Sequence, residues 1–394
     1  MDKKTIRDVK VTGKRVLMRT DFNEPLDEKT GSITDDIRIR AAIPTIEYLL
    51  NHDAKVIICS HLGRPKGKKE PLFSLKSVAM RLSEILRQAV PLAADCMGPA
   101  VEDAVAAMNS GDIILLENLR FYPGEEKNDP SFAETLAGLG DLYVDDAFGT
   151  AHRAHASIVG VAKHLPSVSG LLLEKEVKTL GGILQSPVHP FGLLLGGAKV
   201  SDKVALIENV MGKVDHIIIG GGMAAGFLKA KNYEIGRSLL DGNVEVAANL
   251  IRLAEEHNVK IHLPVDVVVT DDIREGAPAE IVSVGDISPE KRIADIGPLT
   301  VSQFRKVLEK CKTVFWNGPM GVYEIPQFSE STLAVAGIIA GLNATTIIGG
   351  GSTAEVVTSL KLNEHMSFVS TGGGASLEFL SGKTLPGVAA LLDK

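Results

Sequence analysis

Short apolar runs alternate along this chain with stretches in which apolar residues return every three or four positions. Val16–Met18, Val56–Cys59, Ile113–Leu116 and Leu142–Val144 are continuous and apolar, the pattern of strands buried on both faces. Ile37–Leu50 and Leu75–Arg87 have helical period, with Ile39, Ala42, Ile43, Ile46, Leu49 and Leu50 on one side of the first. The second half repeats the pattern. Phe191–Leu195, His216–Ile219, Val265–Val269, Val314–Trp316, Thr345–Ile348 and Phe368–Val369 read as strands. Asp202–Met211, Val244–Glu256, Val301–Lys310, Ser329–Ile339 and Ala354–Leu360 read as the helices between them. Repeated strand-then-helix predicts an α/β protein with mainly parallel sheets, covered by helices on both faces.

A chain of 394 residues exceeds the roughly 250–300 at which single cores stop growing. The pattern breaks near the middle. Leu165–Gly170 carries Pro166, Ser167 and Ser169, a helical pattern follows over Leu171–Leu184, and Gln185–Pro190 carries Pro187 and Pro190. This predicts two α/β domains, 1–170 and 191–384, joined by a connecting helix and hinge at 171–190. A single large sheet is the alternative, and length argues against it.

The net charge of −7 argues against a broad nucleic-acid footprint, which needs a basic face. It leaves room for small anions held by a local arginine cluster. Cys59, Cys96 and Cys311 are odd in number, far apart and without metal-ligand spacing, which fits a reducing compartment. The charged start MDKKTIRDVKVTGKRV does not read as a signal peptide. The most apolar stretch, Leu333–Gly350, is interrupted by Asn343, Thr345 and Thr346. A soluble, cytoplasmic protein with no membrane or nucleic-acid partner is expected.

The 39 glycines gather at strand ends. Leu193–Val200 reads LLLGGAKV, Ile217–Ala224 IIIGGGMA, Ile347–Ala354 IIGGGSTA and Ser370–Ser376 STGGGAS. One such turn is explained by fitting a helix against a strand. Four in one half point to a nucleotide or phosphate crevice, since open α/β sheets bind ligands at the carboxyl ends of their strands and glycine lets backbone N–H groups approach phosphate.

The first half carries charge at the same positions. Arg19, Asp21 and Asn23 follow the first strand, Arg38 opens the next helix, and His61 and Arg64 follow the second strand. Arg120 follows the third and Arg153 the fourth. Guanidinium forks match carboxylate and phosphate geometry, so the set suits a small, multiply charged anion. For any one arginine a surface salt bridge is the simpler explanation; the repeated position is what points to a site. His61 fits a substrate hydrogen bond better than general-base work. His152 and His155, spaced i,i+3, lack a third ligand for a metal. No GxxxxGK[ST], no GxGxxG after the first strand, no protein-kinase HRD or DFG and no GxSxG is present, and Gly63–Lys69 (GRPKGKK) misses the P-loop spacing. The nucleotide site is therefore of a non-Walker kind. A nucleotide-dependent oxidoreductase and a non-catalytic metabolite sensor remain as rivals.

The ordered motifs RTDFNEP (Arg19–Pro25), SHLGRP (Ser60–Pro65), LENLRFYPGEEKN (Leu116–Asn128), DDAFGTAHRAHAS (Asp145–Ser157), GGAKVSDK (Gly196–Lys203), WNGPMGVYE (Trp316–Glu324) and STGGGASLEFL (Ser370–Leu380) resemble those of the phosphoglycerate kinase family. The resemblance runs from the first strand almost to the C-terminus. It implies two Rossmann-like domains facing a cleft, a C-terminal tail (385–394) packed back on the first, and a hinge-bending monomer. The reaction implied is reversible phosphoryl transfer between 1,3-bisphosphoglycerate and ADP, giving 3-phosphoglycerate and ATP.

Carried over by position, the resemblance gives the sugar acid to Asp21, Asn23, Arg38, His61, Arg64, Arg120 and Arg153. Lys199 and Lys203 reach the nucleotide phosphates and the transferred group. Gly197, Gly221, Asn317, Pro319 and Glu324 line the adenosine pocket, Glu324 on the ribose. Gly350, Gly351, Ser352 and Thr353 form the phosphate-binding helix start, and Gly372, Gly373 and Gly374 donate backbone N–H groups to the moving phosphoryl. Arg38, Lys199, Gly373 and Gly374 are the implied catalytic groups, with Mg²⁺ accompanying ATP or ADP. The chain departs from the family pattern twice. Ser352 stands where an aspartate near the magnesium is common, and a hydroxyl is a poorer Mg²⁺ ligand. Either Glu355 would then assist through a water, or the phosphates would hold most of the metal. Asp145 stands where asparagine is more usual.

Overall fold

In the computed structural model, residues 2–27, 29–240 and 244–394 are described. The chain divides into two compact units, Met1–Lys178 with Thr384–Lys394, and Thr179–Lys383.

In the first unit, β1 (Arg15–Arg19), β2 (Lys55–Cys59), β3 (Ile113–Leu115), β4 (Leu142–Asp145) and β5 (Ser167–Ser169) form one parallel sheet in the order β3-β2-β1-β4-β5. Side chains alternate between its faces. Val16, Met18, Val56, Ile58 and Val144 meet Ile39, Ile46 and Leu49 of the helix Ile37–Asn51 and Val78 and Leu82 of Lys76–Leu86. Leu17, Ile57 and Tyr143 point the other way, to Val101 and Val105 of Pro99–Ala106 and Leu136 of Pro130–Ala137. Both faces are buried, which is why the strands read as continuous apolar runs. The C-terminal residues belong to this unit: Lys4 N–H donates to Leu392 O (2.8 Å), Leu392 N–H to Ser167 O (2.9 Å) and Gly387 N–H to Ala151 O (2.9 Å).

In the second unit, β6 (Phe191–Leu195), β7 (His216–Ile219), β8 (Lys260–His262), β12 (Thr313–Asn317), β13 (Thr345–Gly349) and β14 (Phe368–Val369) form a parallel sheet ordered β14-β13-β12-β6-β7-β8. Read from β8, this is the doubly wound order of dinucleotide-binding folds, with its direction reversing between β6 and β12. Leu194, Ile218, Trp316 and Ile348 pack on Phe304 of Pro298–Leu308, Val335 and Ile339 of Glu330–Ala340, and Val357 of Gly351–Ser359. Between β8 and β12 the chain makes β9 (Asp266–Thr270), β10 (Ala279–Ser283) and β11 (Arg292–Ile296), an antiparallel sheet with β9 in the middle.

The structure corrects several expected elements. Val265–Val269 is a strand, but of the antiparallel sheet. Ser167–Ser169, expected as part of a break, is the edge strand β5. The helix expected over Ala354–Leu360 starts earlier, at Gly351, and Asp202–Met211 divides into a 3₁₀ turn (Ser201–Lys203) and the helix Val204–Val210. The connecting helix runs Leu171–Gln185, and the boundary between the units falls inside it. The three cysteines are free and buried. Among the described residues no helix is long and apolar enough to cross a membrane.

Candidate active sites

The loops after β1 to β4 gather the first unit's charges. Arg19 is fully buried and acts as a brace, which corrects its expected place among the anion-gripping arginines. Its Nε donates to Ser157 Oγ at 2.8 Å, one Nη to Thr20 O, and the other lies 3.2 Å from His61 Nδ1. A guanidinium can only donate, so Nδ1 of His61 accepts and the ring proton sits on Nε2. Burial, then the charges of Arg19, Arg120 and Arg153, hold the His61 pKa well below its usual value. At neutral pH His61 is an uncharged hydrogen-bond donor. Burial and the same arginines push His155 down to about 3.

Arg120, only 4% exposed, donates from Nη1 to Gly63 O at 2.9 Å, and its Nε lies 3.3 Å from Glu126 Oε1. Its buried Nε and Nη2 have no hydrogen-bond partner in the protein. Buried guanidinium N–H groups left unpaired are costly and await an acceptor. Burial lowers its pKa to about 10. Asn23 Oδ1 accepts from Gly63 N–H at 2.7 Å, and Asp21 Oδ1 accepts from Asn23 N–H at 3.2 Å. Arg38 Nη1 donates to Asn23 O at 2.7 Å. Arg153, half-buried, lies with its Nε 3.2 Å from His152 Nε2. Arg64 is exposed beside Gly63. The expected residues thus share the loop cluster at the carboxyl edge of one sheet.

Three supporting residues were not expected. Buried Glu125 accepts from Ser157 N–H (2.9 Å) and Oγ (2.6 Å), 3.8 Å from Arg19. Asn118 donates to Leu62 O (2.7 Å) and Phe73 O (2.9 Å) and accepts from Arg120 N–H (3.0 Å), tying the β3 loop to the β2 loop. Glu24 is buried beside Arg38. Only Asn118 left a local trace, a side chain that accepts from the N–H two residues on, a habit of asparagine in turns.

In the second unit the loops after β6, β7 and β12 are lashed together. Gly196 N–H donates to Asn317 O, Gly197 N–H to Pro319 O and Met223 N–H to Gly197 O, each at 2.9 Å, and Gly221 N–H to Met320 O at 2.8 Å. The approach is so close that a Cβ on Gly196 would fall 2.1 Å from Pro319 O. These loops bound two adjoining cavities. The smaller, of about 290 Å³, is lined by Lys199, Lys203, Asn317, Gly350–Thr353 and Gly373–Gly374. The larger, of about 490 Å³, takes Gly221 and Glu324, and Gly197 and Pro319 border both. Its apolar wall of Leu239, Leu240, Ile273, Ile293 and Val322, with Arg237, was not expected.

Two helices open on the smaller cavity with no side-chain cap, Gly351–Ser359 behind Gly350 and Gly374–Leu380 behind Gly373. Uncapped helix starts present N–H groups to an anion. Gly372 differs from expectation, because its N–H donates to Ser370 Oγ at 3.1 Å. Thr353 Oγ1 accepts from Gly318 N–H at 2.7 Å, so this hydroxyl braces the wall. The Lys203 ammonium donates to Asn317 Oδ1, and burial lowers its pKa to about 8. Glu355, considered above for the metal, instead accepts from Tyr323 Oη at 3.1 Å. Asp202 and Ser352 do line the cavity.

A doubly wound second unit with uncapped glycine helix starts and two lysines after its strand β6, in one chain with a first unit whose loops gather arginines, Arg120 with unpartnered N–H donors, defines a nucleotide-dependent phosphotransferase. The sequence profile of phosphoglycerate kinase matches residues 6–383. The phosphoglycerate kinases of Pelotomaculum thermopropionicum and Moorella thermoacetica are 52% and 51% identical to this chain, both over 100% of each sequence. Among solved structures, phosphoglycerate kinase from Coxiella burnetii matches with a TM-score of 0.86 at 42% identity, and that from Pyrococcus horikoshii with 0.87 at 32%, each covering 98% of both chains. The chain belongs to the phosphoglycerate kinase family, whose reaction is the reversible transfer of a phosphoryl group between 1,3-bisphosphoglycerate and ADP, giving 3-phosphoglycerate and ATP.

Proposed function

We propose that the first unit holds 3-phosphoglycerate or 1,3-bisphosphoglycerate through Asp21, Asn23, Arg38, His61, Arg64, Arg120 and Arg153, and that the second holds ADP or ATP. The adenosine occupies the larger cavity, with Glu324 on the ribose, and the phosphates occupy the smaller one, at Lys203 and the helix start Gly350–Thr353. The reading is supported by one shared feature: each unit carries anion-ready donors at the carboxyl edge of its own parallel sheet.

The acceptor carboxylate is already ionised at neutral pH, so transfer needs no general base. Positioning and charge neutralisation carry the reaction. Arg38 steadies the carboxylate and the transferring group, Lys199 offsets developing charge, and the N–H groups of Gly373 and Gly374 receive equatorial oxygens. In-line transfer requires the two ligands to meet, so closure of the units about the hinge accompanies catalysis and excludes the water that would otherwise take the phosphoryl.

The donor set fits Mg²⁺ arriving with the nucleotide. Asp202 and Ser352 offer hard oxygen ligands in the phosphate cavity. Among the described residues no group of three His, Cys, Asp or Glu side chains is placed to hold a metal. When bound, the ion neutralises phosphate charge. The protein works as a cytoplasmic monomer. A coupled assay with ADP and 1,3-bisphosphoglycerate, with and without Mg²⁺, tests the reading. Mg²⁺-dependent ATP formation supports it; ligand binding without turnover, or nicotinamide reduction, contradicts it.

A further inference from the structure

Glu24 is a carboxylate fully shielded from solvent in the loop after β1, and no step of the reaction above uses it. Its two oxygens contact two consecutive residues of one helix, Ile39 and Arg38. Oε1 accepts from the backbone N–H of Ile39 at 2.9 Å, in the first turn of the helix Ile37–Asn51. The N-cap residue Asp36 makes no side-chain cap bond, so Glu24 supplies a first-turn acceptor from outside the helix. Oε2 lies 3.5 Å from Nη1 of Arg38, the same nitrogen that donates to Asn23 O. Arg38 is therefore fixed at its guanidinium by Asn23 and Glu24, and at the peptide that follows it by Glu24 again. Asn23 is in turn tied to Gly63 of the β2 loop.

We propose that Glu24 is the positioning residue for Arg38, holding its guanidinium for the sugar acid and yielding charge when that anion binds. The proposal rests on the reading of Arg38 given above. The charged groups facing Glu24 are Arg38 from the helix, Asp35 from the turn before it and Asp21 from its own loop. Burial, reinforced by Asp35 and Asp21 and opposed by Ile39 N–H and Arg38, raises its pKa to about 7. Near neutrality the carboxyl is close to half-charged. An anion drawn to Arg38 brings negative charge nearby and weakens the guanidinium's hold on Glu24. Both effects favour the protonated carboxyl. Binding of 3-phosphoglycerate thus takes up part of a proton near pH 7, and the fraction of Glu24 that stays charged, together with the Asn23 carbonyl, keeps Arg38 in place.

The test is calorimetric titration with 3-phosphoglycerate at pH 7, in buffers of different ionisation enthalpy, on the wild type, Glu24→Gln and Arg38→Ala. The wild type takes up a fraction of a proton, and Glu24→Gln, which still accepts from Ile39 N–H, loses that uptake. In the coupled assay Glu24→Gln lowers kcat by roughly three- to tenfold, the scale of a loosened rather than deleted transition-state contact, with KM changed less than about twofold. Its kcat/KM profile loses the step near pH 7 that the wild type shows. Absence of uptake in the wild type overturns the proposal without any variant, and so does equal uptake or a superposable profile in Glu24→Gln. Wild-type turnover in Arg38→Ala is a different failure, since it removes Arg38 from catalysis whatever Glu24 does.

Discussion

The ammonium of Lys203 donates to Oδ1 of Asn317, linking the turn that follows β6 to the end of β12 at the point where strand order reverses. Burial lowers the lysine's pKa to about 8, against the opposing charge of Asp202. At pH 7 it is largely a cation, and above pH 8 it loses that charge. ADP affinity should therefore weaken as pH rises through about 8. Lys203→Met should bind ADP at least about tenfold more weakly at pH 7 and show little change from pH 7 to 9, measured by calorimetry.

Arg38→Ala should lower turnover at least about a hundredfold in the coupled assay, the range seen when one transition-state donor is lost. Near-normal turnover would take Arg38 out of the chemistry.

Arg120 separates stability from function. Its buried Nε and Nη2 lack hydrogen-bond partners, a cost that offsets the Nη1 bond to Gly63 O and the contact with Glu126. Arg120→Met should keep or raise Tm while weakening 3-phosphoglycerate binding at least about tenfold. A fall of many degrees in Tm would mean that the guanidinium is structural.

Asp145 is fully buried, and its Oδ2 has no hydrogen-bond partner. Burial raises its pKa from 3.8 to about 6, opposed by Ala147 N–H and Arg19. A carboxylate with a raised folded pKa costs stability above that pKa and nothing below the unfolded value. Asp145→Asn should thus gain about 1–3 kcal/mol at pH 8. The gain should fade between about pH 6 and 4, followed by thermal melts. An equal gain at both ends would contradict the burial account.

Gly318 has φ +95°, and a Cβ there would sit 2.4 Å from Gly196 O. Gly318→Ala should cost about 2–5 kcal/mol from backbone strain and clash together. It should also abolish measurable ADP binding by moving the β6 loop, and an unchanged Tm would show that the loops can part.

Much of the fold was legible because parallel strands buried on both faces must be apolar throughout: Phe191–Leu195 and His216–Ile219 were readable to the residue. β5 was not, because Pro166-Ser-Val-Ser carries no apolar run and becomes a strand only through pairing with β4. β10 was hidden for a different reason, since it lies on an exposed sheet edge with Glu280 and Ser283 in place of a core. The glycine turns were visible because their chemistry is local. The idle N–H groups of Arg120, the link between Lys203 and Asn317 and the grip of Glu24 on Arg38 depend on chain folding, and no spacing rule encodes them. The apolar wall of the larger cavity comes from irregular segments around Leu239, Ile273 and Val322, which lack a period.

The division of labour between the units is tested most directly by titrating Arg120→Met and Lys203→Met each with 3-phosphoglycerate and with ADP. The account predicts two separate losses: Arg120→Met weakens the sugar acid and leaves ADP within about twofold, and Lys203→Met does the reverse. Loss of ADP binding in Arg120→Met, or of 3-phosphoglycerate binding in Lys203→Met, would contradict it.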